Sequence, residues 1–420
     1  MVRLKEFSNG LRLVYNKLDC FSVSMGVFVG TGCVDESMEE NGISHFIEHT
    51  LFKGTERRTA FQIADDVESI GAQINAYTSK QCTAYYTVCL TEHAESCADI
   101  LSDIFFNSTF PEVELKKEQG VVIEEINMYE DVPEDVCLEQ LSTAYYADHP
   151  LGKTILGSKE NVLSFDGARI RDYMKRRYTS DNVVISIAGA IGYDEAVALV
   201  EKYFVGGFTG TKKVGEDDFT RRIAKPTFLY KKKDIEQSNF ALAFPAPEYG
   251  SDLECAMQIL NGALGGGMSS RLFQRIREEL GLAYTVYSYP SQYIFDGYTC
   301  IYLGTAPGKT ESAIKAIREE ILKLKDGGLE EKELLRSRAQ MKSAYLMSRE
   351  SSRSIMNING KNVLYTGKLL DIDDKIAKID GTDLDKVKEV IDYIFDFDKV
   401  CASYVGPEEK MPALELILGK

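Results

Sequence analysis

An α+β fold in two similar halves is predicted by the chain length, by a repeated order of elements and by a repeated run of letters. The chain has 420 residues, more than one ordinary core holds, since domains usually run to about 100–200 residues. Asn75-Ala76-Tyr77-Thr78 leads into Tyr85-Tyr86-Thr87-Val88-Cys89-Leu90-Thr91. Far downstream, Leu282-Ala283-Tyr284-Thr285 leads into Tyr298-Thr299-Cys300-Ile301-Tyr302-Leu303-Gly304-Thr305. Long helical patterns follow both. This correspondence marks an internal duplication, two α+β halves on one plan.

The elements follow in order. Ser22 to Val29 alternates small or polar with apolar residues, the pattern of a strand. A helical pattern runs from Ile43 to about Phe52. Another starts after Thr59, a suitable N-cap, and stops at Gly71. Strand-like runs occupy 73–77 and 83–90. Helical patterns lie near 93–106, 112–129, 134–147 and 160–177, and a β-prone run covers 182–188. Between Gly206 and Pro226 the pattern lapses into Gly, Lys and acidic residues, as in a linker. Then the order recurs: a strand at 240–244, helical stretches near 252–263 and 269–280, strands at 284–289 and 298–303. Long helical patterns near 309–325 and 330–349 complete it. The expected division is a first half, 1–206, a linker, 207–226, and a second half, 227–420.

Composition narrows the function. Hydrophobic residues make up 44% and charged residues 27% of the chain, as in folded proteins. A formal net charge of −16 argues against a bulk nucleic-acid binder, which carries a basic face. No run of 18 apolar residues exists, so no membrane span is expected. Met1 to Gly10 shows neither a secretory apolar core nor an Arg-rich presequence. Nine cysteines form no C-x-x-C pair, which suits reduced thiols and a cytoplasmic location.

Four histidines are present in all, and two fall in His45-Phe46-Ile47-Glu48-His49. On a helix, residues four apart project from one face, so both imidazoles can bind one Zn²⁺. Glu48 lies beside that face, placed to take a proton from a metal-bound water rather than to bind metal. Ile43, Phe46, Ile47 and Leu51 bury the other side. His93 and His149 have no such company and are expected at the surface. A catalytic Zn²⁺ usually takes three protein ligands. Candidates for the third are Glu118, Glu124 and Glu125. Glu118 and Glu125, seven apart, share a helical face, which favours them jointly over Glu124.

The H-x-x-E-H motif, followed by Phe52-Lys53-Gly54-Thr55, resembles the pitrilysin (M16) family of zinc peptidases, the inverzincins. Within that family the chain is similar to the mitochondrial processing peptidase-like branch over essentially its whole length. The segment Tyr146 to Gly157 is also similar to one in this branch. The resemblance implies two α/β-sandwich halves, each a mainly antiparallel sheet with helices packed on one face, the LuxS/MPP-like metallohydrolase fold. It implies a zinc metalloendopeptidase with one Zn²⁺ per chain. It selects Glu125 as the third ligand and leaves Glu118 as a supporting carboxylate.

The second half has no His and cannot carry a duplicate zinc site. Its Gly265-Gly266-Gly267 run resembles the glycine-rich loop that handles substrate in the processing peptidases. Arg277 and Tyr284, seven apart, resemble the family's Arg/Tyr pair. The likeness implies that they bind the substrate backbone and stabilise the oxyanion, as a cation and a phenol donor would. Asn75 and Ala76 resemble the edge strand that pairs with substrate. Asp135 and Glu139, one helical turn apart, resemble positions that contact basic residues near the cut. In the family the zinc half of one unit faces the Arg/Tyr half of another. A chain of one unit with both half-sites implies a homodimer, with a heterodimer of related subunits as the alternative. The competing class is a catalytically silent partner subunit, but the intact His45, Glu48, His49 and Glu125 oppose it.

Overall fold

The computed structural model describes residues 2–208, 224–410 and 413–419. The first sheet holds β1 (Val2–Glu6), β2 (Arg12–Lys17), β3 (Ser22–Val29), β4 (Gln73–Thr78), β5 (Thr83–Leu90) and β6 (Val183–Gly189). Between these in sequence fall α1 (Ile43–Thr50), α2 (Ala60–Ser69), α3 (Ala94–Asn107), α4 (Glu112–Asp131) and α5 (Pro133–Tyr146). Then come α6 (Lys159–Ser164), α7 (Gly167–Arg177) and α8 (Tyr193–Tyr203). The second sheet holds β7 (Thr227–Lys232), β8 (Ser238–Pro245), β9 (Ala283–Gln292), β10 (Gly297–Thr305) and β11 (Cys401–Gly406). Its part of the chain adds α9 (Glu254–Leu264), α10 (Thr310–Gly327), α11 (Glu331–Ser348), α12 (Ser352–Thr366), α13 (Ile372–Asp380), α14 (Leu384–Ile394) and α15 (Ala413–Leu418). No helix among the described residues is long and apolar enough to cross a membrane.

The fold is α+β with two mixed sheets. The first runs β1-β2-β6-β3-β5-β4, antiparallel except for β2 against β6. The second runs β7-β11-β8-β10-β9, antiparallel except for β7 against β11. Strand alternation sorts the side chains. In β3, Val23, Met25, Val27 and Val29 join the core beneath α1, α3 and α8, while Phe28 faces the other way.

The compact units are discontinuous in sequence. One contains 2–126, 153–208 and 346–371, and the other 127–152, 224–345, 372–410 and 413–419. The division at 206 and 227 therefore misses an exchange of segments. Helix α12, from the second half, packs on β3, β6 and β2 in the first unit. There Ile355, Met356 and Val363 cover Phe28, Val14 and Val184. A Cβ on Gly360 would lie 2.4 Å from the Phe28 ring, so only glycine permits this approach. Helix α5, from the first half, packs on β11, β8 and β7 in the second unit. Of the expected linker at 207–226, residues 209–223 lie outside the described residues.

Two helical expectations are corrected. The pattern at 160–177 is two helices, because the Asp166 side chain accepts from Ala168 N and Arg169 N and caps a new start. The stretch at 269–280 is helical from Arg271, and Phe273–Glu279 of it form a π-helix.

Candidate metal centre

Helix α1 is fixed from beneath its first turn. Gly42 adopts φ +101°, and a Cβ there would lie 2.6 Å from Leu156 O. Gly157, at φ +75°, would bring a Cβ within 2.2 Å of Asn41 O. Two glycines thus let 41–42 cross 156–157 at backbone contact. Under this crossing lies Glu36, only 3% exposed. Its Oε2 accepts from Gly42 N at 2.8 Å and Asn41 Nδ2 at 2.9 Å, and its Oε1 accepts from Ser44 N at 2.9 Å. These bonds satisfy N–H groups that a helix start leaves unpaired. Burial pushes the Glu36 carboxyl up to about 7 against the pull of the same donors. Ile43, Phe46 and Ile47 are buried, which turns His45, Glu48 and His49 to the opposite side.

There His45, His49 and Glu125 meet. His45 Nε2 lies 3.6 Å and His49 Nε2 lies 3.5 Å from Glu125 Oε2. One atom from each of the three residues falls within 4.8 Å of the others. A tetrahedral zinc with bonds of about 2.0–2.1 Å holds neighbouring ligand atoms about 3.3 Å apart, so the spacing and the N,N,O donor set fit zinc. Burial, then the neighbouring His49, holds His45 down at about 3. A neutral imidazole keeps a lone pair for a metal. His45 Nδ1 is buried without a hydrogen-bond partner among the described residues. His49 differs: its Nδ1 lies 3.4 Å from Glu118 Oε2, and Glu118 Oε1 lies 2.8 Å from Lys53 Nζ. Glu118 is buried and Glu124 exposed on α4, as the shared face of Glu118 and Glu125 requires. Glu48 Oε2 accepts from Thr78 Oγ1 at 2.6 Å. Burial raises the Glu48 carboxyl, and the Thr78 hydroxyl opposes that rise. The arrangement can hold one metal ion with a carboxylate base beside it.

Asn75 and Ala76 lie on β4, which among the described residues pairs with β5 alone. Asn75 Oδ1 caps the N–H of Ala76 at 2.8 Å, a self-protection suited to a sheet edge. The remaining candidates belong to the second unit. Arg277 stacks over the rings of Phe273, at 4.7 Å, and Tyr284, at 5.1 Å, so the Arg/Tyr pair is in contact. Tyr284 is 74% exposed. Gly265 is buried against β9, where a Cβ would lie 2.5 Å from Ser288 N, while Gly266 and Gly267 are exposed. Asp135 and Glu139 share the start of α5. Burial, with the charges of Glu134 and Glu139, raises the Asp135 carboxyl.

His149 departs from its expected surface place. It is half-buried, with Nδ1 accepting from Leu151 N at 3.2 Å and its ring beside those of Tyr146 and Phe295. Pro150 opens a tight turn there that folds the ring inward. Glu36, Lys53 and Thr78 acquire site roles that spacing did not reveal. Lys53 and Thr78 sit in noted runs of letters, whereas Glu36 is one acid among several before α1.

Comparison with known proteins follows this geometry. Residues 15–159 match the family described as insulinase (peptidase family M16), and residues 164–341 match the peptidase M16 inactive domain. The chain is 43% identical to an uncharacterized zinc protease of Bacillus subtilis, YmxG, covering 98% of this chain and 100% of that one. It is 36% identical to an uncharacterized zinc protease of Rickettsia felis, covering 97% and 98%. Among solved structures, a protease from Helicobacter pylori superposes with a TM-score of 0.92 at 20% identity, covering 97% and 99%. The peptidase M16 inactive domain from Pseudomonas fluorescens gives 0.91 at 19%, covering 97% and 98%. At such identity these two structures speak to the fold alone.

Proposed function

Because this chain belongs to the M16 family of peptidases, we propose that it is a zinc metalloendopeptidase acting on unfolded peptides and short polypeptides. The observation that carries this is the convergence of His45, His49 and Glu125 with Glu48 on the same helix. Those three residues would hold one zinc ion. When bound, zinc supplies a Lewis acid and lowers the pKa of water. Glu48 takes a proton on its carboxylate and delivers it to the leaving amine. Thr78 fixes Oε2 for that task. The edge of β4 offers main-chain groups to an extended peptide without regard to its sequence, once the Asn75 side chain releases the Ala76 N–H.

From the family likeness we assign Arg277 and Tyr284 to the substrate backbone and oxyanion. Gly265, Gly266 and Gly267 are assigned to substrate handling, and Asp135 and Glu139 to a basic residue near the cut. Possession of both half-sites supports a homodimer. The test compares wild type with Glu48→Gln on an unfolded peptide library, with metal analysis and light scattering. The variant is expected to keep zinc and lose cleavage. Full activity at unchanged metal content would overturn the mechanism, and a wild type with neither zinc nor cleavage would mark a silent partner subunit.

A further inference from the structure

A cavity of about 340 Å³ opens at the Gln73 end of β4, lined by Glu68, Gln73, Asn75, Tyr86 and Arg353 among others. Arg353 comes from the start of α12, which belongs to the same compact unit. Its guanidinium is exposed and lies over the Tyr86 ring, 5.4 Å from the centroid. It forms no ion pair with any carboxylate among the described residues, Glu68 included. In a protein of net charge −16, an exposed cation with no internal acid beside a free sheet edge stands out.

The position along the strand has a scale. Thr78, at the other end of β4, touches Glu48 and so marks the reacting end. Gln73 is five residues away, about 17 Å at roughly 3.4 Å per residue. Side chains alternate along β4. Ile74 and Ala76 pack toward the helical core, whereas Tyr77 meets α12 through Asn357 and Lys361. Gln73 and Asn75 share the face of Tyr77 by this alternation, the face on which Arg353 stands over Tyr86.

We propose that Arg353 is a specificity-determining residue that takes a carboxylate from a peptide laid along β4, four to six residues from the cleaved bond. The inference rests on the peptidase reading above. A guanidinium offers paired N–H donors that match a carboxylate, and the Tyr86 ring supports its plane. Glu68, across the cavity, opposes the same ligand. An Asp or Glu side chain and a terminal carboxylate share this chemistry, so the probe peptides carry amidated C-termini, with one free-acid series for contrast.

The experiment uses the zinc-loaded full chain and peptides with one cleavage site. A single Glu or Gln is moved through the third to seventh positions on each side, and kcat/KM is compared. Glu is expected to exceed Gln about three- to fivefold at one position, the upper part of the range of an exposed ion pair. Arg353→Gln should bring that ratio to one, Arg353→Lys should keep part of it, and Glu68→Gln should increase it. A ratio near one at every position in wild type, or an unchanged ratio in Arg353→Gln, overturns the proposal. A preference confined to the free-acid series overturns the side-chain assignment in favour of a terminal carboxylate. The same peptides are titrated onto Glu48→Gln by fluorescence anisotropy. Tighter binding of Glu peptides, lost in the Glu48→Gln, Arg353→Gln double variant, supports the role of Arg353 even if wild type cleaves nothing, an outcome that would count against the peptidase reading alone. Equal binding of Glu and Gln peptides rejects it.

Discussion

Thr78 donates a 2.6 Å hydrogen bond to Oε2 of Glu48, tying the end of the edge strand to the helix that carries the base. Glu48 must be ionised to accept a proton. Burial already raises its carboxyl, and the hydroxyl counters that rise. Thr78→Val removes the counterweight. Hydrogen bonds to charged groups contribute about 1.5–3 kcal/mol, so the acid limb of kcat/KM should move up by about one to two pH units. A pH–rate profile taken at constant zinc content checks this, and an unmoved limb would dismiss the bond as incidental.

Glu118 faces the free nitrogen of His49 and is itself held by Lys53. A carboxylate in that position fixes the tautomer and orientation of a ligand imidazole, and its loss typically costs 10–100-fold in metal affinity. Glu118→Gln should weaken zinc binding by about that factor. Lys53→Met should produce a smaller loss, since it leaves the carboxylate in place but unanchored. Competition against a chelator measures both, and wild-type affinity in Lys53→Met would remove Lys53 from the site.

Glu36 makes stability depend on pH. Its folded carboxyl stands at about 7 against an ordinary value of 4.5. Between these values the folded state binds the extra proton, so stability is greatest below about 4.5 and falls as pH rises through about 7. The full excursion is on the order of 3 kcal/mol. Glu36→Gln should flatten this part of the curve. Urea unfolding of both proteins from pH 5 to 8 tests it, and parallel curves would exclude Glu36 as the source.

Gly360 seats α12 against Phe28, where an added Cβ has no room. Gly360→Val forces a shift in a packed core, at a cost of about 1–3 kcal/mol. A drop of several degrees in melting temperature is expected in thermal denaturation. An unchanged melting temperature would mean that the helix–sheet contact is loose.

Local relations were legible in the letters and distant ones were not. His45, Glu48 and His49 are a spacing on one helix, and a spacing is written in the chain. Thr59 is the N-cap that its position promised, its side chain accepting from Gln62 N. Glu125 lies far along the chain from His49, so only family likeness singled it out. Glu36 is acidic among Asp35, Glu39 and Glu40, and nothing but burial beneath Gly42 distinguishes it. The exchange of α5 and α12 was invisible because each helix finds its sheet across a long stretch of sequence. Their periodicity says which face is apolar, not which sheet will cover it.

That exchange sets an order of events during synthesis. When β6 is complete, all three ligand candidates have been made, yet the face of the sheet bearing Phe28 and Val184 has no cover. Its cover, α12, begins about 160 residues later, roughly 8–30 s of translation at about 5–20 residues per second. For that interval the nascent chain carries a sheet with one apolar face uncovered. Completion of the unit that holds His45, His49 and Glu125 thus waits on a helix encoded far downstream of all three.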